Sequence, residues 1–268
     1  MNIKPWSKMP VEWIVDGTIK AFSWTADGAV GTAALAVFYA LCHLAVERQR
    51  LQPLGGVPTD AGEALSLQVT PNFAFVAAAI AQPGVPASPV QLGLAHATET
   101  EWVAAATYDT LAALAGLSRT MVSAGLAKLE ERKMIRRRGT LPTGHYAIAN
   151  LCSGQRWAKL PGQALLSPAR TTFKPLDCFH LRSGHELNAL KLHFYYASVR
   201  SAQLPYSTAT FETIWQRTGV PERDIPRANS LLVTSGLLVL AGADGGADRN
   251  QHEPNRYYMT GYQTLTRS

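Results

Sequence analysis

The stretch of residues 107–138 reads TYDTLAALAGLSRTMVSAGLAKLEERKMIRRR. Its first part has apolar residues at the i, i+3, i+4 spacing of one buried helix face. Thr107 precedes that face and is a suitable N-cap, and Gly116 allows a tight turn after it. The pattern therefore predicts a short helix that ends at a glycine turn.

A second helix follows the turn. Ser118 can cap it, and Val122, Leu126 and Leu129 form its apolar face. Three consecutive arginines come next, where a chain leaving the helix can begin a strand. Two helices joined by a tight turn and running into a basic strand predict a winged helix-turn-helix.

The positive charge of the chain is unevenly distributed. The formal net charge is +6, and residues 1–105, 106–150 and 151–268 carry −3, +4 and +5 respectively. The excess therefore begins at the predicted helix-turn-helix and continues to the end of the sequence. This distribution favours a polyanionic partner such as nucleic acid.

Cysteine usage and hydropathy bear on the compartment. The three cysteines are far apart and odd in number, unlike a disulfide framework. No uninterrupted apolar run reaches the roughly 18 residues of a membrane helix, and the N-terminus lacks the apolar core of a signal peptide. We expect a cytoplasmic, nucleoid-associated protein without a membrane partner.

The second half of the chain repeats the plan of the first. WAKLP at 157–161 echoes WSKMP at 6–10, and residues 210–240 align without a gap on 107–137 at an offset of 103. The alignment matches the turn glycines and the core positions together. The sequence thus predicts a mainly α fold with small β wings (α+β), in two tandem winged-helix domains at 1–150 and 151–268.

The first domain contains an insertion. The apolar helices that precede the two helix-turn-helices align at an offset of 155, which leaves about 52 extra residues at 51–102. This segment has no lysine or arginine, so contact with phosphates is not expected there. Two interpretations stay open: an elaboration packed on its own domain, or an arm for homodimerisation or another protein contact.

The predicted recognition helix has a face opposite its apolar side. Small residues on that face permit close approach to the major groove, and methyl groups can contact thymine. Arg119 lies at the helix entry, within reach of guanine or phosphate, and a helix N-terminus suits a phosphate. The predicted DNA-binding residues of this helix are Ser118, Arg119, Thr120, Ser123, Ala124 and Lys128.

The predicted wing begins with Arg136, Arg137 and Arg138, and its return strand contains His145. Because side chains alternate along a strand, we expect one or two of the arginines to face the DNA backbone or minor groove. The alternative is that the arginines form a solvated face and the helix-turn-helix packs against protein.

The second helix-turn-helix departs from the pattern of the first. Asn229 replaces core Leu126, and Pro226 restricts the helix to a late start near Asp224. Its long wing, 241–255, contains acidic residues that oppose phosphate binding. The predicted DNA-binding residues of this domain are Arg223, Arg227, Ser230 and Arg256.

The sequence gives little support for an enzyme. It has no GxxxxGK[ST] phosphate loop. It also has no pair of histidines around one hydrophobic residue, the arrangement with which rolling-circle nucleases hold a metal. Cys178, His180 and His185 are close together but lack a fourth ligand and zinc-finger spacing. We expect no catalytic residues, no metal and no cofactor.

The pattern W-x-K-x-P, then an apolar helix, then Y-x-x-L-A-x-x-x-G-L-S-R resembles the helix-turn-helix domains of phage and plasmid replication proteins. Two such domains in tandem resemble iteron-binding plasmid initiators. The resemblance implies that both domains bind successive major grooves of a repeated site, and that dimers repress their own gene. A transcriptional regulator binding an operator and a winged-helix protein-interaction adaptor are the alternatives.

Overall fold

The first half of the chain, residues 1–150, begins with a strand and a set of helices. The computed structural model describes residues 5–50, 99–138, 143–152, 154–239 and 255–266. The elements of the first half are β1 (Trp6–Pro10), α1 (Glu12–Val15), α2 (Thr18–Ala21), α3 (Trp24–Leu44), β2 (Val46–Arg50), β3 (Glu99–Ala106), α4 (Tyr108–Ala115), α5 (Arg119–Glu131), β4 (Ile135–Arg138) and β5 (Gly144–Ile148).

The second half, residues 151–268, follows the same order of elements. They are β6 (Trp157–Pro161), two 3₁₀ turns (Gln163–Leu165 and Lys174–Cys178), α6 (Gly184–Val199), β7 (Ser207–Ala209), α7 (Phe211–Thr218), a 3₁₀ turn (Glu222–Asp224), α8 (Ile225–Ser235), β8 (Leu238–Val239), β9 (Asn255–Met259) and α9 (Tyr262–Thr266). The protein is therefore a mixed α+β protein with small antiparallel sheets.

The predicted repeat has a local structural counterpart. Thr107 Oγ1 accepts from Thr110 N at 3.1 Å, and Thr210 Oγ1 accepts from Thr213 N at 3.2 Å, so α4 and α7 have the same cap. Both helices end at a left-handed glycine, Gly116 with φ of 66° and Gly219 with φ of 71°. Only glycine adopts this conformation without a steric cost, which explains the residue at both turns.

The sheets repeat as well. The first half has the strand order β2-β3-β5-β4, and the second has β7-β9-β8. Strands β3, β5 and β4 thus correspond to β7, β9 and β8. Each half places a helix pair against a small sheet whose edge strand directly follows the second helix.

The two halves share one core and are related by an approximate twofold axis. Strands β1 and β6 pair antiparallel with Lys8 opposite Lys159, which occupy equivalent positions of WSKMP and WAKLP. The long helices α3 and α6 pack together, and Trp13 contacts both Phe38 and Phe194 edge-on at about 5.4 and 5.3 Å. The described residues of 5–49 and 100–266 accordingly belong to one compact unit.

Each turn glycine packs against the opposite half. A Cβ added to Gly116 would lie 3.1 Å from Asp177 Oδ1, just before α6. A Cβ added to Gly219 would lie 3.5 Å from Cβ of Lys20, just before α3. The reciprocal contacts extend the approximate symmetry to the helix pairs.

Two predictions for the first half differ from the structure. The apolar pattern of residues 31–50 predicts one helix over that range, but α3 begins at Trp24 and ends at Leu44, and residues 46–50 join the sheet beside β3. Residues 11–19 have the apolar spacing of one amphipathic helix with Val15 on its buried side, but the structure has two single-turn helices separated by Gly17 with φ of 87°. Val15 is consequently exposed rather than on the buried side.

The boundary of the insertion also differs. Trp102, predicted to end the insertion, lies in β3 and is buried. Its strand contributes to the sheet of the first half, so the added segment is shorter at that end. The interpretations of the insertion fall on 51–98, and that of the long second wing falls on 241–254; these residues lie outside the described part of the chain.

Helix α3 is long and apolar enough to cross a membrane by length and composition. The bent pair formed by α4 and α5 passes the same test as a broken span. However, 72% of the apolar window of α3 is buried inside the protein. Buried core helices commonly reach this length and apolar composition, so the length and composition of α3 are weak evidence for a membrane segment.

Candidate nucleic-acid interface

Helix α5 is held tightly against α3. The axes of α4 and α5 are bent by 97°, and Val122, Leu126 and Leu129 are fully buried, as predicted. A Cβ at Gly125 would lie only 3.1 Å from the backbone nitrogen of Ala34, so glycine permits the close approach of the two helices. One face of α5 is thereby fixed to the core, and the other is presented to solvent.

The N-terminal end of that outer face is accessible. Arg119, Thr120 and Ser123 are exposed and Ala124 is half-buried. The Ser118 hydroxyl accepts from Met121 N at 3.3 Å and caps the helix. These residues occupy the positions that sequence analysis assigned to them.

Arg119 forms an exposed ion pair with Asp109. Its Nε lies 3.4 Å from Asp109 Oδ1, and the two side chains are 70% and 72% exposed. An ion pair this exposed contributes little free energy, about 0–1 kcal/mol. A phosphate or guanine could therefore displace Asp109 at small cost.

Lys128 departs from the prediction. Its side chain is only 19% exposed, and Nζ lies 2.7 Å from Glu131 and 3.3 Å from Asp27. These hydrogen bonds, first that to Glu131, raise the pKa of Lys128 against the opposing effect of desolvation. Lys128 fastens α5 to α3 instead of facing outward, because a carboxylate in α3 attracts it.

Asp27 is the centre of this attachment. Its carboxylate is almost fully buried and also accepts from Arg132 Nη2 at 3.2 Å and from Ser23 N at 3.2 Å. A buried carboxylate is stable only when paired and hydrogen-bonded in this way. The role of Asp27 was not predicted, although a lone acidic residue in the first turn of an apolar helix is a usable signal.

The wing arginines form ion pairs within the protein. Arg136 and Arg138 both donate to the carboxylate of Glu101, at 2.8 and 2.9 Å. Arg137 points to the opposite face, where Nη2 donates to the hydroxyl of Tyr108 at 3.1 Å. The alternation expected of a strand is present.

These pairings limit what the arginines can offer to DNA. Arg136 is 63% exposed, whereas Arg137 and Arg138 are 41% and 28% exposed. Arg136 is the most accessible, and a phosphate would have to compete with Glu101 for it. His145 lies half-buried on β5, opposite Arg138 in the strand register.

Helix α8, the counterpart of α5, begins late as predicted. It starts at Ile225 with Pro226 in its first turn, and Asp224 occupies the cap position without a side-chain cap hydrogen bond. Arg223, Arg227 and Ser230 are exposed, and the Ser230 hydroxyl donates back to Pro226 O at 3.1 Å.

Asn229, at the position of core Leu126, has a specific partner. Its Oδ1 accepts from the Tyr196 hydroxyl at 2.8 Å. The Tyr196 ring stacks on Tyr257 with centroids 4.0 Å apart. An amide replaces leucine here because the neighbouring long helix presents a tyrosine hydroxyl, which needs a partner when it is buried.

Arg256 is exposed on β9, opposite Thr208 in the strand register. Its guanidinium lies over the ring of Tyr206, 5.1 Å from the centroid. Arg256 is thus held on the sheet of the second half, whereas Arg227 lies on helix α8 of the same half.

The acidic, cysteine and histidine side chains of the described ranges are dispersed over the fold. Among the described residues, no three of these groups are close enough to hold a metal ion. Cys178 is exposed and Cys42 is buried, and both are free thiols. No protein-family model, no curated protein and no solved structure matches the chain.

Proposed function

We propose that the chain is a sequence-specific double-stranded DNA-binding protein with two winged helix-turn-helix domains. The observation that carries the proposal is the repeated helix pair. In both halves the second helix has one buried face and one exposed face, and the exposed face bears arginine at its N-terminal end. A helix with this arrangement suits the major groove.

The chemistry of α5 fits direct readout. Arg119 can form a bidentate contact with guanine, and Thr120 can contact a thymine methyl group or a phosphate. Ser123 adds a hydroxyl on the same side, while Ala124 lets the helix approach closely. The wing contributes mainly through Arg136, whose contact with phosphate is independent of sequence.

The approximate twofold relation between the halves indicates how two grooves would be read. One chain carries both helix pairs, so a monomer presents a pseudo-symmetric pair of recognition surfaces. We expect two half-sites whose centres lie about 10 base pairs apart, the spacing of major grooves on one face of the duplex.

The process we propose is replication initiation at the origin of a plasmid or another mobile element, in line with the resemblance described above. Tandem copies of the site beside an AT-rich tract in the DNA flanking the gene would support it. A single palindromic site within a promoter would instead identify an operator-binding transcriptional regulator.

The test uses duplexes selected by the full-length protein from a random library. Affinity for the selected duplex is measured by fluorescence anisotropy at several salt concentrations. Arg119→Ala should weaken specific binding by about 1–3 kcal/mol, while Arg136→Ala should weaken selected and random duplexes alike and reduce the salt slope by about one.

Arg156→Ala is the matched control, since it removes an exposed arginine outside both helix pairs. It should leave affinity for the selected duplex unchanged. If no sequence is enriched and Arg119→Ala binds as well as wild type, the helix pairs do not read DNA. The winged-helix adaptor, in which these faces bind protein, would then be preferred.

A further inference from the structure

A polar cavity of about 350 Å³ lies where the two halves meet. The first half supplies Lys20 and Trp24 at its rim, and the second supplies Lys191 and Arg227. Its size is within the range of small-molecule binding sites. Because both halves contribute side chains, a ligand bound here would contact both repeats at once.

Lys191 is the unusual residue of this cavity. Its side chain is almost fully buried in α6, and Nζ donates to the backbone oxygen of Phe22 at 2.8 Å. Among the described residues, no carboxylate lies within ion-pair distance of this ammonium. The carboxylate of Asp27 attracts the Lys191 ammonium from beyond ion-pair distance, and it is already bound by Lys128 and Arg132.

A buried ammonium without a counter-ion is costly. Desolvation lowers the pKa of Lys191 to about 8, and the attraction of Asp27 only partly opposes that effect. The ammonium has three protons, and the carbonyl of Phe22 uses one. The remaining protons of the Lys191 ammonium can therefore be donated to a ligand, and a bound anion would stabilise the buried charge.

Two more cations face the same space. Lys20 and Arg227 are exposed, and within the described part of the chain neither forms an ion pair with a carboxylate. The acidic residue on the lining is Asp224, whose Oδ1 lies 3.9 Å from Arg223 Nε. The cavity thus has an excess of positive charge.

The N-terminal end of α6 adds to this field. Its first turn lines the cavity through Gly184 and His185, and a helix N-terminus favours anions. The long helix of the first half does not contribute in the same way, because the non-helical Gly28 separates its first turn from the rest. Glu186 accepts hydrogen bonds from the backbone nitrogens of Leu181 and Arg182. The helix end alone would not define a site, but the buried ammonium of Lys191 points to the same ligand chemistry.

We propose that this cavity binds a phosphate group, with Lys191 as the buried donor and with Lys20 and Arg227 closing over it from the two halves. The phosphate could belong to a soluble phosphorylated compound or to a DNA backbone that reaches the N-terminal end of α8. Phosphate binding does not require the proposed DNA function, because the cavity belongs to the folded chain itself.

The experiment is isothermal titration calorimetry of the full-length protein with inorganic phosphate and pyrophosphate, at constant ionic strength and with chloride as the reference anion. Saturable binding is expected. Arg227→Ala and Lys20→Ala should each weaken it roughly tenfold, the loss expected when one charge-assisted contact is removed. Lys191→Met should weaken it at least as much.

Arg217→Ala is the matched control. Arg217 is exposed in the last turn of α7 and does not line the cavity, so phosphate affinity should be unchanged. Circular dichroism establishes that each variant is folded. No saturable heat with wild type, or equal losses in Arg217→Ala and Arg227→Ala, would overturn the proposal.

A competition arm identifies the source of the phosphate. Pyrophosphate that displaces a bound duplex indicates that a backbone phosphate normally occupies the cavity. Pyrophosphate that binds without displacing the duplex indicates a soluble ligand. Calorimetry needs no DNA, so failure of the DNA-binding proposal and failure of this one give different results.

Discussion

Lys8 and Lys159 face each other across the β1–β6 ribbon, and each places its ammonium over a tryptophan of the opposite half. Lys8 Nζ lies 4.8 Å from the ring centroid of Trp157, and Lys159 Nζ lies 4.9 Å from that of Trp6. The two indoles stack 5.5 Å apart. This reciprocal contact marks the approximate twofold axis and joins the repeats through equivalent residues.

The shared core predicts that the two halves unfold together. Trp13 and Phe38 of the first half pack on Phe194 of the second, so separation would expose large aromatic surfaces. Urea unfolding followed by tryptophan fluorescence and by circular dichroism should give one coincident transition. An isolated fragment of residues 151–268 should lack a cooperative transition; a stable fragment would show instead that the halves are independent domains.

The buried carboxylate of α3 predicts a large effect of one substitution. Asp27→Ala leaves Lys128 and Arg132 without their common partner, and we expect it to lower the free energy of unfolding by about 2–3 kcal/mol. Chemical denaturation measures this. Asp109→Ala, which removes an exposed carboxylate paired with Arg119, should change stability by less than about 1 kcal/mol. Equal effects would remove the special role of Asp27.

Substitution of Gly125 by alanine should change stability in the direction opposite to that expected from helix propensity. Replacing a mid-helix glycine with alanine normally stabilises a helix by about 1 kcal/mol. Here the added Cβ would press on the backbone of Ala33 and Ala34, and such overpacking costs about 1–3 kcal/mol. Gly125→Ala should therefore destabilise the protein. Ala127 is exposed on the same helix, so Ala127→Gly measures the effect of helix propensity without a change in packing. Stabilisation by Gly125→Ala would mean that α3 and α5 separate easily.

His193 predicts loss of stability in mild acid. The ring is fully buried, and among the described residues neither nitrogen has a hydrogen-bond partner. Desolvation lowers its pKa to about 3, below the value near 6.5 expected in the unfolded chain. Between these values the unfolded state binds the extra proton, so the stability present above pH 6.5 falls as pH drops, by up to roughly 1.4 kcal/mol per pH unit.

Thermal or urea unfolding between pH 7 and pH 4 measures this dependence. His193→Phe keeps a ring in the site. It should reduce the slope of the unfolding free energy against pH by an amount that corresponds to about one proton. The control is His180→Gln, because His180 is exposed and should leave the slope unchanged. A slope that is the same in wild type and His193→Phe would show that this histidine does not contribute.

The helix pairs were predictable because their signals are local. Capping threonines, turn glycines and apolar spacing all lie within about twenty residues, and Thr107, Gly116 and Val122 take the predicted positions. The late start of α8 followed from the restricted backbone of Pro226. Repetition of the same local pattern identified both copies.

The remaining features depend on contacts between distant residues. Strand β2 resembles the end of a helix in sequence and is extended because it pairs with β3. Lys128 has the spacing of an exposed residue but is drawn to Asp27, 101 positions earlier in the chain. The internal pairing of Arg136 and Arg138 likewise requires Glu101 on a strand that the hydropathy pattern did not reveal.

Hydroxyl-radical footprinting of the full-length protein on its selected duplex tests whether the repeated helix pairs read DNA. Two protected tracts with centres about 10 base pairs apart are predicted. Arg119→Ala should weaken protection in one tract, and the paired change Arg223→Ala with Arg227→Ala should weaken it in the other. Uniform protection without distinct tracts, or tracts unaffected by all three substitutions, would contradict DNA reading by the repeated helix pairs.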